Sequence, residues 1–212
     1  MAAVLAQRAP TLLVRRLGRA GYLTTLEAMR AFTRARGAQT PDELWLLEHP
    51  PVYTLGHAAD PSHGPRYGAL PVVRVERGGQ VTYHGPGQVV LYTLVDLARR
   101  AIKVREFVYL MEQAVIDLLG GYGVAGQRRP GAPGVYVGDA KVAALGIRVA
   151  RGRAFHGLAL NVDMDLAPFA AIDPCGYPGL RVTQTRDLGI ALAPDEAGER
   201  LASNLTEAIA RA

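Results

Sequence analysis

Between residues 134 and 162 three apolar runs, Gly134 to Val137, Lys141 to Val149 and Ala154 to Val162, are separated by Gly138-Asp139 and Arg151-Gly152. Both dipeptides suit tight hairpin turns, in which glycine takes up a left-handed backbone without steric cost. Strands joined by such short turns must run antiparallel, so the centre of the fold is expected to be antiparallel β. Around it, Leu12 to Leu17 reads as a strand, and Leu44-Trp45-Leu46-Leu47 and Val52-Tyr53-Thr54 read as two more flanking the break at His49-Pro50-Pro51. Tyr22, Leu26, Met29 and Phe32 recur near helical spacing across Tyr22 to Arg36, with Thr24 and Thr25 as capping candidates. The clearest helix is Val104 to Leu119, where Val104, Val108, Met111, Val115 and Leu118 form one apolar face before Gly120-Gly121 ends it. A last helix follows Pro194, with Asp195 and Glu196 in its first turn and Leu201, Leu205 and Ile209 on one face. Strands and helices are segregated rather than alternating, which defines an α+β fold with a mixed or antiparallel sheet and flanking helices. At 212 residues and 49% apolar content the chain is expected to form one domain, residues 1–212.

The net charge of +5 suits an acidic partner, but no basic block with interleaved aromatics is present, so nucleic acid is not expected. No apolar stretch nears the roughly 18 residues that cross a bilayer, and Met1 to Ala6 is too short for a secretory signal. The opening arginines Arg8, Arg15, Arg16 and Arg19 fit a transit peptide in composition, yet arginine is abundant throughout, and a soluble, cytoplasmic protein is the expectation. Lysine occurs only at Lys103 and Lys141, so 22 of the 24 basic residues are arginine. Lys141 is conspicuous in such a chain.

Three features carry chemistry. Arg77-Gly78-Gly79-Gln80-Val81-Thr82-Tyr83-His84-Gly85-Pro86-Gly87-Gln88 follows the apolar run Val72-Val73-Arg74-Val75 and holds four glycines, and it reads as a functional loop rather than a connector. Cys175, the single cysteine, rules out an internal disulfide and a multi-cysteine zinc site. It sits within Asp173-Pro174-Cys175-Gly176-Tyr177-Pro178-Gly179, a rigid loop able to expose a thiol, although a lone cysteine often packs as a small hydrophobe. A free thiol is only a few per cent thiolate at neutral pH, so a catalytic Cys175 needs a neighbouring base or cation, for which Lys141 and His84 are the candidates. His84 reads equally as a structural histidine. The remaining histidines, His49, His57, His63 and His156, have no metal-like spacing, and no metal is expected. Residues 57 to 71 form a polar, Pro/Gly-containing loop that could move over a site.

Taken together, the 77–88 segment, Gly138-Asp139-Ala140-Lys141-Val142-Ala143-Ala144-Leu145-Gly146, His156-Gly157-Leu158-Ala159-Leu160-Asn161 and Pro174-Cys175-Gly176 resemble the lipoyl-protein octanoyltransferases of lipoate biosynthesis. The resemblance runs from about residue 12 to 189. It implies the catalytic fold shared with biotin and lipoate protein ligases, with Cys175 as acyl-thioester nucleophile and Lys141 as the partner that activates it. It also implies substrate contacts along Arg77-Gly78-Gly79-Gln80-Val81-Thr82-Tyr83-His84, at Ala144-Leu145-Gly146 and at Gly157-Leu158-Ala159. The implied reaction moves octanoyl from octanoyl-acyl carrier protein to Cys175, then to a lysine of a lipoyl domain, as in 2-oxoacid dehydrogenase E2 subunits and the glycine cleavage H protein. Thioester exchange followed by amide formation runs downhill, so neither ATP nor a cofactor is expected, and no Gly-x-x-x-x-Gly-Lys-Ser/Thr loop is present. Leu145, Gly146 and the Gly78-Gly79 turn are candidate oxyanion donors. Arg77, and less readily Arg128 and Arg129, could meet phosphopantetheine or an acidic carrier surface. An ATP-dependent lipoate or biotin ligase, a cysteine hydrolase of acyl thioesters and a non-catalytic acyl-binding module remain as alternatives. They differ in nucleotide binding, acceptor dependence and the need for Cys175.

Overall fold

The computed structural model describes residues 12–212, apart from the Cys175 side chain; residues 1–11, which carry the first of the opening arginines, lie outside the described residues. The chain runs β1 (Leu12–Arg19), α1 (Tyr22–Ala35), β2 (Asp42–Glu48), β3 (Val52–Leu55), β4 (Val72–Arg74), β5 (Val81–His84), β6 (Gln88–Leu94), α2 (Val104–Gly120), β7 (Gly134–Val137), β8 (Ala140–Ala150), β9 (Arg153–Asn161) and α3 (Pro194–Arg211). Six strands form one sheet in the order β1-β2-β6-β9-β8-β7, and β4-β3-β5 form a small second sheet.

Both hairpins occur where their turn residues place them, β7–β8 across Gly138-Asp139 and β8–β9 across Arg151-Gly152. The centre is antiparallel as expected, while β1 joins β2 and β4 joins β3 in parallel, so the sheets are mixed. The segment 77–88 departs from expectation: it is not one twelve-residue loop. Val81-Thr82-Tyr83-His84 is a wholly buried strand paired antiparallel to β3, since β-branched and aromatic residues favour the pleated backbone despite the glycines on either side.

The α2 and α3 helices cover one face of the large sheet, joined by a core that includes Phe107, Met111, Leu118, Leu201 and Leu205. Val104 is 47% exposed, so the buried stripe of α2 is centred on Phe107, Met111 and Ala114. The other face packs on α1 through Tyr22, Leu26, Met29, Trp45, Val90 and Tyr92. Helix α1 starts at Gly21, which has no side chain to cap with, and Thr25 instead returns its hydroxyl to the Gly21 carbonyl at 2.8 Å, so neither Thr24 nor Thr25 is a cap. Among the described residues no helix is long and apolar enough to cross a membrane.

Candidate active site

Two adjacent strands carry small residues in register. Ala144 opposes Ala159 and Gly146 opposes Gly157, so a strip of β8 and β9 on the α1 side of the sheet presents almost no side-chain bulk. The small sheet roofs this strip, and between them lies a narrow, mainly apolar slot lined also by Thr82, His84, Val90 and Tyr92. The two glycines are required by close approach: a Cβ on Gly157 would lie 2.1 Å from the Leu91 carbonyl oxygen, and one on Gly146 would lie 2.8 Å from that of Gly78.

Lys141 lies three residues before Ala144. The β7–β8 register slips at this point, and Val142 and Ala143 both pack into the helical core, so Lys141 emerges on the face of Ala144 and Gly146. It is 3% exposed and so is not a solvated surface charge. Its Nζ donates to the Pro133 carbonyl at 3.0 Å and lies 5.0 Å from the centre of the Tyr136 ring. Its backbone is bridged to the segment just after Cys175, with the Lys141 N–H on the Arg181 carbonyl and the Thr183 N–H on the Lys141 carbonyl, both at 2.9 Å.

Cys175 is the middle residue of a single 3₁₀ turn, Pro174–Gly176. That turn rests on Gln80, since a Cβ on Gly176 would lie 3.1 Å from Gln80 Cγ. Gln80 in turn ties down the 57–71 loop, donating to the Ala58 carbonyl and accepting from the Asp60 N–H. Arg66 and His63 of the same loop hold Asp173, at 2.8 and 3.2 Å, and these contacts keep the Asp173 carboxyl below the usual carboxylate range, Arg66 contributing most. A cleft of about 410 Å³ gathers these parts, bordered by Gly79, Gln80, Pro133, Leu145, Gly146 and Tyr177. The Cys175 turn, the carbonyl that holds Lys141 and the mouth of the slot therefore meet at one place.

The proposed oxyanion donors separate on geometry. The Gly78 N–H is engaged by the Ile147 carbonyl at 2.9 Å and is not available. Strand alternation then directs Leu145 to that same outer edge of β8, beyond the last β7 pair at Ala144, while Gly146 faces β9. Leu145 is thus the better placed backbone donor.

Arg77 does not face a carrier surface. It is buried, donating to the Thr54 carbonyl and hydroxyl at 2.8 Å and to the Gly78 carbonyl at 2.9 Å, and so braces the roof of the slot from inside. Arg128 and Arg129 are engaged with Glu112 and Asp139. His84 sits in a directional chain. Gln88 donates its amide to Asn161 and to the Tyr83 carbonyl, so its Oε1 accepts from His84 Nδ1 at 2.7 Å, and His84 Nε2 is left as acceptor for the Thr54 hydroxyl at 3.4 Å. Burial lowers the His84 pKa to about 3, and both ring nitrogens are engaged, Nδ1 as donor and Nε2 as acceptor. Asn161 extends the chain to the Thr183 carbonyl, beside Lys141. Tyr83 packs away from the slot in a cluster with Phe169 and Ile172, and Val81, which lines the slot, belongs to the same cluster.

Four lining residues were not anticipated: Tyr22, Val90, Tyr92 and His156. They come from α1, β6 and β9; in the sequence Tyr22 read only as part of a helical apolar face, and His156 opened the His156-to-Asn161 segment without a role of its own. Among the described residues no group of three His, Cys, Asp or Glu could hold a metal ion.

This fold is that of lipoate and biotin protein ligases. Lipoate-protein ligase A bound with ATP aligns with a TM-score of 0.74 at 16% identity, covering 94% of this chain and 85% of the other. A biotin protein ligase from Aquifex aeolicus aligns at 0.56 and 10%, covering 95% and 70%. At such identities the likeness is one of fold. Residues 21–206 match the family model described as the lipoyl protein ligase A/B catalytic domain, and the chain belongs to that family. Within it, proteins named octanoyltransferase from Dechloromonas aromatica and Aromatoleum aromaticum are 60% and 62% identical, covering 92% of this chain and 95% and 85% of their own lengths.

Proposed function

We propose that the protein transfers an octanoyl group from octanoyl-acyl carrier protein to a lysine of a lipoyl domain through a thioester on Cys175, with the whole chain as the catalytic unit. The observation that carries this reading is the buried Lys141, which donates to Pro133 at the border of the cleft into which the apolar slot opens and is bridged through its backbone to the segment that follows Cys175. The names of the close relatives support the octanoyl group.

In the first half-reaction the Cys175 sulfur attacks the donor's thioester carbonyl. The new C–S bond forms as the carrier's thiolate leaves, and the proton lost by Cys175 passes to that thiolate, with Lys141 holding the charge. Leu145 donates its N–H to the transient oxyanion, a kind of contact worth about 10²–10³ in rate. Octanoyl lies over Ala144, Ala159, Gly146 and Gly157. In the second half-reaction a neutral lysine amine of the lipoyl domain attacks the Cys175 thioester, forming an amide and restoring the thiol. The acceptors fitting this chemistry are the lipoyl domains of 2-oxoacid dehydrogenase E2 subunits and the glycine cleavage H protein, and the compartment that goes with this reading is the cytoplasm.

The dyad is tested by iodoacetamide alkylation of Cys175 as a function of pH. Lys141→Ala is expected to move the profile to higher pH and slow alkylation near neutrality. Superimposable profiles would remove Lys141 from the mechanism.

A further inference from the structure

The slot has an open end and a closed end. It shares Gly79, Gln80, Leu145 and Gly146 with the larger cleft, which is therefore where it opens, and among the lining residues not shared with that cleft are Tyr22, Tyr92 and His156, which we take as its closed end. The Tyr92 hydroxyl is engaged by His49, whose other nitrogen is held by the Ala20 carbonyl, both at 2.7 Å. His156 differs. It is 1% exposed, yet neither ring nitrogen has a hydrogen-bond partner among the described residues. It also holds φ at +63° inside β9, a conformation costly for a residue with a Cβ and concentrated at functional positions. Phe155 stacks on its ring at 5.0 Å and Tyr92 meets it edge-on at 6.1 Å, so packing fixes the imidazole while leaving its polar atoms unmatched. Burial lowers its pKa to about 3, so at neutral pH the ring offers one donor and one acceptor. Buried polar atoms of this kind are satisfied by a water or a ligand atom.

We propose that His156 is the length gauge of the acyl slot: hydrated at the closed end, its imidazole accepts a saturated chain that stops short of it and rejects one that reaches it. This deepens, and rests on, the octanoyl reading above. In an apolar slot without a stop each added methylene strengthens binding about fourfold. A chain long enough to touch His156 loses that gain, because it displaces the water and leaves both nitrogens bare.

The test is calorimetric binding of saturated acyl-pantetheine thioesters of increasing length to the Cys175→Ser protein, which cannot form the acyl thioester. With His156 in place, affinity should rise up to octanoyl and fall at decanoyl. In His156→Leu, apolar and of similar bulk, the rise should continue through decanoyl, raising the decanoyl-to-octanoyl ratio roughly tenfold or more. His156→Asn, which tolerates the left-handed backbone and is shorter, should move the maximum to a longer chain, and it serves if the leucine protein does not fold. Affinity that climbs unbroken past decanoyl with His156 present overturns the proposal, as does an unchanged ratio in the folded variants. Because the readout is binding, absence of transfer from the carrier protein would overturn the proposed function and leave the gauge standing.

Discussion

A single methyl group at residue 157 would sit 2.1 Å from the Leu91 carbonyl oxygen, closer than any non-bonded carbon can approach. Relief requires β6 and β9 to part, so Gly157→Ala should cost about 3 kcal/mol, at the upper end of overpacking, read as a lower urea midpoint. The half-buried Ala144 faces the slot rather than a neighbouring strand's backbone. Ala144→Leu should therefore leave stability within about 1 kcal/mol and reduce acyl-enzyme formation at least tenfold by filling the space for the chain. A Gly157→Ala protein as stable as the parent would contradict the close approach of β6 and β9, and a fully active Ala144→Leu would place the acyl group elsewhere. Both positions were visible in the sequence as small residues in motifs. Their pairing across β8 and β9 was not, because register is a property of the folded sheet.

At the level of elements, the open end of the large sheet is pinned by Asp42, the first residue of β2. Its carboxylate is fully buried and receives Arg36, Arg99 at 2.7 Å and Arg100 at 2.6 Å, together with the Asp96 N–H at 2.8 Å. These partners come from the end of α1 and from the connection between β6 and α2, so one side chain ties three segments together. Asp42→Ala leaves three cations without their shared anion and should destabilise the fold by about 3–5 kcal/mol, a loss detectable by thermal unfolding. A variant as stable as the parent would show the cluster to be ornamental. The same scale shows why the sequence was only partly legible. The β7–β8–β9 meander could be read because its turns are encoded by adjacent residues. Strand β5 was hidden by the glycines around it, and Arg77, charged and next to two glycines, read as outward-facing because its acceptors on Thr54 lie 23 positions away. The closed end of the slot escaped altogether, since His156 is distinguished by backbone strain and unmatched nitrogens, neither of which leaves a local pattern.

Across the whole molecule, His49, His84 and His156 are buried and neutral, with pKa values lowered to about 4, 3 and 3, burial being the largest cause in each. In the unfolded chain each titrates near 6.5. Between these limits the unfolded state binds more protons, so stability falls as pH drops below about 6.5 and continues to fall towards pH 4. Each histidine contributes at most about 1.4 kcal/mol per pH unit, and three together are large against a total stability of about 5–15 kcal/mol. Urea midpoints should therefore decline steeply from pH 7 to pH 5, and a flat profile would mean that these rings take up protons in the folded state as readily as in the unfolded one. The fold resembles that of a ligase bound with ATP, yet in the proposed reaction the acyl group is activated by Cys175 and the donor's own thioester. The most direct test is the intact mass of the protein after mixing with octanoyl-acyl carrier protein in the absence of ATP, followed by addition of a lipoyl domain. One octanoyl group should be added at Cys175 and then move to the lipoyl-domain lysine; no adduct, with acceptor modification only when ATP and free octanoate are supplied, would rule out the covalent route.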